Sequence, residues 1–281
     1  MSSATQPQSP LVSKALELYE TSKKNDKVAG KIESIIRFWI KHINESYRLT
    51  ADAISSNMER IVEALKKNYH VIVAEARAVE NVRPGIGNLL LPLEWGLTVH
   101  PIYRVPYIPG SSIKGVLRAV YQDRVAKSLD PDTANKCADI IFGSTSEGIS
   151  LVTAFDAYPL PGSRGIVGPD IITPHMRPGE KGVISELDLE PVPVKGVSIR
   201  PGTRFKFTLK IDNIRGEMKN SIPSDCLKIE DIISSYQNID PLERLRNIIL
   251  YILILSLKYI GIGGRTLKGY GRFEIEKIEI I

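Results

Sequence analysis

The sequence predicts an α+β fold: a ferredoxin-like (RRM-like) core with large insertions and an N-terminal helical extension. Three observations predict it. Residues 71–79 read as a strand that starts on the β-branched run Val71, Ile72, Val73. Residues 111–129 carry Ile113, Val116, Leu117 and Val120 at helical spacing, and a strand-like stretch follows at 149–157. The second half repeats the order, with alternating residues 203–211, a strongly apolar helix over 241–259 and a last alternating strand from Phe273. Strand, helix, strand, twice over, is the ferredoxin-like order.

The elements follow from local chemistry. Residues 1–10 are rich in Ser, Gln and Pro and read as a disordered tail. Residues 11–24 predict a helix, and residues 32–47 a second one carrying Ile35, Ile36, Trp39, Ile40 and Ile43. Thr50 or Asp52 is expected to cap a third helix that runs to Lys67. Apolar stripes of this kind pack, so residues 1–70 are read as a tail and helical extension with a scaffold role, a docking surface for a helical partner being the alternative. Residues 71–281 then form the main domain. Residues 81–91 are a loop, Asp130-Pro131 breaks the central helix, and residues 133–142 make a shorter helix closed by Gly143. Residues 159–201 are Pro- and Gly-rich and read as an irregular insertion holding one short strand at 192–199; irregular stretches of this length are often functional. In residues 203–211, Phe205, Phe207, Leu209 and Ile211 share one face, and Arg204, Lys206, Thr208 and Lys210 the other.

Composition bounds the function. The chain has 281 residues, 43% hydrophobic and 25% charged, enough for a sizeable core. Net charge is +5 with 37 basic and 32 acidic residues, so an acidic partner would be held by local patches and not by the overall field. Two cysteines, Cys137 and Cys226, in unrelated contexts argue against a disulfide framework and against a cysteine-ligated zinc. No cofactor is implied. The most apolar run, residues 248–257, is too short to span a bilayer, and a cytoplasmic, membrane-free protein is the expectation.

Two corners concentrate the chemistry. The stretch YIPGSSIKGVLR, residues 107–118, is a Pro-Gly turn leading into a helix, with Ser111 or Ser112 expected as N-cap and Lys114 and Arg118 one turn apart. A helix start of this kind attracts anions. The second corner, GIGGRTLKGYGRF at residues 261–273, combines glycines that permit close backbone approach with the cations Arg265, Lys268 and Arg272 and the ring of Tyr270. Cations with an interleaved aromatic suit single-stranded RNA.

Both corners resemble hallmarks of the RAMP superfamily, the RNA-binding proteins of CRISPR systems: its serine-lysine turn and its C-terminal glycine-rich loop. Within that superfamily the closer likeness is to the sixth-numbered subunit family of the Cmr complex, the type III-B effector. It is carried further by LEWGLTVHPIYRVPYIPGSS (93–112), IFGSTSEGISLVTAFDAYP (141–159) and DIITPH (170–175). The resemblance implies a non-catalytic, RNA-binding structural subunit that caps the backbone filament near the 3′ part of the guide. It implies guide (CRISPR) RNA and target RNA as partners, beside the slicing backbone subunit, the small helical subunit and the other capping RAMP subunit. By the same likeness Ser111, Ser112, Lys114, Arg118, Gly263, Gly264, Arg265, Lys268, Tyr270 and Arg272 are the RNA-binding residues, the two corners meeting on one ribose-phosphate strand. The insertion at 159–201 is a candidate for the hairpin that such proteins wedge into the guide–target duplex.

The alternatives are a RAMP endoribonuclease that processes precursor guide RNA, using His100 or His175, and the equivalent cap of a Csm complex. Asp156, Asp170 and His175 match no metal-ligand spacing, so no catalytic or metal site is assigned.

Overall fold

The computed structural model describes residues 28–85, 96–144, 150–163, 165–173, 193–212, 222–227 and 239–281. The first element is helix α1, Val28–Leu65, 38 residues without a break. The sequence suggests two helices here with a cap at Thr50 or Asp52. Thr50 instead turns its hydroxyl back onto the Ser46 carbonyl one turn earlier, 2.8 Å away, which lets the helix continue. The helix expected over 11–24 lies outside the described residues.

Strand β1, His70–Ala78, follows, then helices α2, Gly110–Arg124, and α3, Pro131–Phe142. Short strands β2, Val152–Ala154, and β3, Tyr158–Pro159, lead to the ribbon strands β4, Val167–Ile172, and β5, Val194–Ile199. Strand β6, Arg204–Ile211, helix α4, Pro241–Leu255, and strand β7, Phe273–Ile280, close the chain. The main sheet has the order β2-β6-β1-β7 with β3 also paired to β6, and every pairing is antiparallel. The first strand therefore lies in the interior of the sheet, between β6 and β7. The fold is α+β, as the sequence predicts.

Register decides what each face holds. Ile72 faces Leu209, Ala74 faces Phe207, Ala76 faces Phe205 and Ala78 faces Phe273 across β1. These side chains share one core with Ile113 and Leu117 of α2, Cys137 and Ile141 of α3, and Ile248, Ile249 and Ile252 of α4. The small alanines of β1 leave room for the rings opposite: Phe207 and Phe273 pack edge to face at 5.2 Å between centroids. On the other face, which carries Arg204, Lys206, Thr208 and Lys210, the structure buries both Lys206 and Thr208. Helix α1 lies over this face and reaches Lys206 through Glu59 at 3.5 Å.

The hold of α1 is mainly apolar. Ile35, Ile36, Trp39, Ile43, Tyr47, Ala51, Ile54 and Met58 are all buried, and each large aliphatic contributes about 1.5–3 kcal/mol. The exposed Lys195–Glu33 pair adds little beside this. Two polar latches fix the register. Asn44 accepts from the Ile166 and Val167 N–H groups at 2.8 and 3.2 Å and donates to the Val167 carbonyl at 3.2 Å. Tyr47 donates to the Leu160 carbonyl at 2.6 Å and accepts from Ser163 N–H. Among the described residues of the 159–201 insertion, β4 and β5 form a two-stranded ribbon packed on α1 where the sequence suggests one short strand. Residues 164 and 174–192 of the segment read as a wedge lie outside the described residues.

One correction concerns covalent structure. Cys137 of α3 and Cys226, in the 3₁₀ turn Ser224–Leu227, form a buried disulfide with a Cα separation of 5.3 Å. Their sequence separation of 89 hides the pairing, and only the packing of that turn against α3 creates it. Closing so long a loop restricts the unfolded chain, for which about 2–5 kcal/mol is typical.

Two outcomes are expected. Non-reducing alkylation of the native chain should label no cysteine at positions 137 or 226, and reduction should lower the urea midpoint by an amount equivalent to about 2–5 kcal/mol; free thiols in the native protein would contradict the pairing. Asn44→Ala should strand the N–H groups of Ile166 and Val167 and cost about 1–3 kcal/mol with an unchanged denaturant slope, whereas an unaltered midpoint would mean that α1 is held without this latch.

Candidate nucleic-acid interface

The serine-lysine corner begins one residue earlier than expected. Pro109, not Ser111 or Ser112, occupies the N-cap of α2, and no side chain of the cap residue bonds the helix. The first free N–H, that of Gly110, donates to the Asp156 carboxylate at 2.7 Å. Gly110 is required here: a Cβ would lie 2.2 Å from the Ala154 carbonyl oxygen. A carboxylate of the chain itself therefore meets the positive end of this helix. Ser111 is exposed and Ser112 half-buried on the next turn. Lys114 donates to Ser150 Oγ at 2.7 Å, and burial first, then the neighbouring Arg118, holds its pKa below the usual lysine range. Arg118 pairs with Asp139 and donates to the Gly143 carbonyl at 3.1 Å, which ties α2 to the end of α3.

The glycine-rich corner is clamped to the segment that leaves β1. Gly264 N–H donates to the Arg83 carbonyl and Gly271 N–H to the Asn81 carbonyl, each at 2.8 Å, and Val79 N–H donates to the Arg272 carbonyl at 2.9 Å. The approach leaves no space for side chains. A Cβ at Gly271 would stand 2.3 Å from the Ile262 oxygen and one at Gly263 2.6 Å from the Arg83 oxygen, and both residues have positive φ. Arg265 adopts the left-handed conformation, φ 64°, uncommon for a residue with a side chain. Its guanidinium lies 5.8 Å from the Tyr270 ring centroid. Tyr270 donates its hydroxyl to the buried Asp170 on β4, 3.1 Å from both carboxylate oxygens. Burial, then the Asp170 charge, raises the Tyr270 pKa. Lys268 is exposed, and Arg272 is exposed with Glu80 3.9 Å away.

The two corners are linked through the helices. Helix α2 packs against α4 and against the π-helical turn, Ser256–Ile260, that leads from α4 into the glycine loop. The cations at each corner keep separate partners: Lys114 and Arg118 face Ser150, Asp139 and Gly143, while Arg265 stays with Tyr270. Sequence reading did not find Asp156 or Asp170 as the carboxylates that organise the corners, because each acts on a residue far along the chain.

Other surfaces suit a polyanion less well. On the α1 side of the sheet Arg204 pairs with Glu75 and Glu276, Arg77 with Glu276 and Glu274, and Lys206 with Glu75 and Glu59. The charges of this face are matched in place. His100 accepts at Nδ1 from the Ile102 and Tyr103 N–H groups, both at 3.2 Å, so that nitrogen is committed to the turn and is a poor general base. His175 lies outside the described residues. Among the described residues no group of three His, Cys, Asp or Glu side chains is placed to hold a metal, and no helix is long and apolar enough to cross a membrane.

With this geometry in place, comparison with known proteins defines the class. Residues 93–274 match the RAMP superfamily, and the chain belongs to it. The particular relatives are subunits of CRISPR effectors. The chain is 25% identical over 279 residues to CRISPR system CMR subunit Cmr6 of Saccharolobus solfataricus, covering 97% of this chain and 82% of that protein. It is similar to a chain in the cryo-EM structure of the type III-B Cmr-beta bound to cognate target RNA, at 27% identity and a TM-score of 0.61, over 92% of this chain and 78% of that one. The crystal structure of Cmr6 from Pyrococcus furiosus aligns at 19% identity and a TM-score of 0.42, over 74% of this chain and 98% of that one.

The clamp makes a clear contrast between glycines. Gly271→Ala should destabilise by more than 1 kcal/mol, since it meets a carbonyl at 2.3 Å from a positive-φ position. Gly115→Ala, in the middle of α2 with nothing within 4 Å, should stabilise by about 0.5–1 kcal/mol. Thermal melts that rank the two variants the other way would show that the loop is not held by close approach.

Proposed function

We propose that this chain is a non-catalytic, RNA-binding structural subunit of a type III-B CRISPR (Cmr) effector complex, acting in the cytoplasm. The observation that carries the reading is the likeness to Cmr6 along 97% of the chain. A solved relative that sits in a Cmr particle bound to cognate target RNA supports it. In this reading the core, with its first strand inside an antiparallel sheet and two strand–helix–strand units, is an RRM-like arrangement. The subunit caps the backbone filament near the 3′ part of the guide, beside the slicing subunit, the small helical subunit and the other capping subunit.

The two corners divide the work. Gly263 and Gly264 bring backbone close to the RNA, and Arg265, Lys268 and Arg272 neutralise its phosphates. Ser111, Ser112 and Lys114 extend the contact along the first turn of α2. Arg118 and Tyr270, already bonded to Asp139 and Asp170, serve by holding the corners in shape. Contacts of this sort position a strand and do not read its sequence; sequence is read by pairing of guide with target.

The test is binding of fluorescent single-stranded RNA to the full-length chain across a salt series. Lys268→Ala and Arg272→Ala should each weaken binding and reduce the log–log salt slope by about one. Variants that keep both the affinity and the slope of the parent chain would overturn the assignment of the glycine loop.

A further inference from the structure

The glycine loop also carries exposed apolar groups that phosphate binding does not explain. Tyr259 is 66% exposed, Ile260 38% and Leu267 100%. Tyr259 and Ile260 end the turn that leads into the loop, and Leu267 lies within the loop. The helix α4 ends in a π-helical turn, where Gly261 N–H reaches back five residues to the Ser256 carbonyl at 2.8 Å. This turn keeps Leu257 buried and leaves Lys258, Tyr259 and Ile260 at the surface. The chain then reverses so tightly that a Cβ on Gly261 would lie 3.2 Å from Cγ2 of Thr266, the residue before Leu267. The left-handed Arg265 and the short 3₁₀ turn Thr266–Lys268 hold Leu267 at the tip.

The surroundings say what would cover this patch. From Lys258 to Arg272 the sequence holds Lys258, Arg265, Lys268 and Arg272 and no acidic residue. An exposed tyrosine with the Lys258 ammonium 5.8 Å from its ring, and an exposed leucine followed directly by Lys268, match an unpaired nucleotide, whose phosphates take the charge and whose base takes the apolar face. Tyr270, the ring the sequence offers for this role, is half-buried with its hydroxyl on Asp170, whereas Tyr259 is exposed. We propose that Tyr259, together with Leu267, forms a base-stacking platform at the glycine loop and receives one unpaired base of a single-stranded RNA. The proposal rests on the RNA-binding reading above and adds to it a site for the base.

Its test separates the two. The full-length chain is titrated with a fluorescent oligouridine and with an abasic ribose-phosphate strand of the same length. Tyr259→Ala combined with Leu267→Ser should weaken oligouridine binding about ten-fold or more, leaving the abasic affinity and the salt slope unchanged, and Tyr259→Phe should bind like the parent chain. Both side chains are exposed, so the thermal midpoint should not move. A double variant that binds both strands as the parent does, or loses both equally, overturns the platform. If Lys268→Ala still reduces the salt slope in that case, the RNA-binding reading survives alone; if neither variant changes anything, both fall. A double variant with parental RNA affinity that no longer assembles with its protein partners also overturns the platform and makes the patch a subunit contact.

Discussion

Close contact between two backbones is the constraint on which the candidate interface depends. The glycine loop lies directly on the residues that leave β1, through bonds from Gly264 and Gly271 to Arg83 and Asn81; a Cβ at Gly263 would meet the Arg83 carbonyl, and one at Gly271 the Ile262 carbonyl of the loop itself. Given that contact, the rest follows. The loop turns through a left-handed Arg265 and leaves Leu267, Lys268 and Arg272 at the surface. A loop so fixed offers charge with little entropy left to lose on binding.

Coverage of the sheet gives the loop its importance. An antiparallel sheet with helices on one side leaves the other available for a ligand, but here α1 lies across it and the remaining charges are paired among themselves. Apolar burial of α1 fixes this arrangement, and the Asn44 and Tyr47 latches join the β4–β5 ribbon to the same helix. The ribbon in turn supplies Asp170 to Tyr270. The N-terminal helix and the C-terminal loop are thus mechanically connected through a strand between them in sequence.

Much of this was legible in the residues. The alternation of Phe205, Phe207, Leu209 and Ile211 and the apolar run of α4 give the core, because a periodic pattern needs only local information. The glycine loop was legible because its glycines and cations are contiguous. What stayed hidden depends on distant partners. Asp156 caps a helix 46 residues before it, Tyr270 reaches a carboxylate 100 residues away, and Cys137 meets a cysteine 89 residues on. The burial of Lys206 and Thr208 was hidden for the same reason: a strand's alternation does not say whether a second layer will cover its polar face. The break expected in α1 had a local cause, since Thr50 has a choice between capping a new helix and bonding the turn behind it, and it takes the second.

Photo-crosslinking tests the central claim most directly. Single-stranded RNA carrying 4-thiouridine is bound to the full-length chain, irradiated, and the attached peptides are identified by mass spectrometry. The account predicts crosslinks within residues 258–272 and at the first turn of α2. Crosslinks confined to α1 or to the charged face of the sheet, with none in residues 258–272, would contradict it.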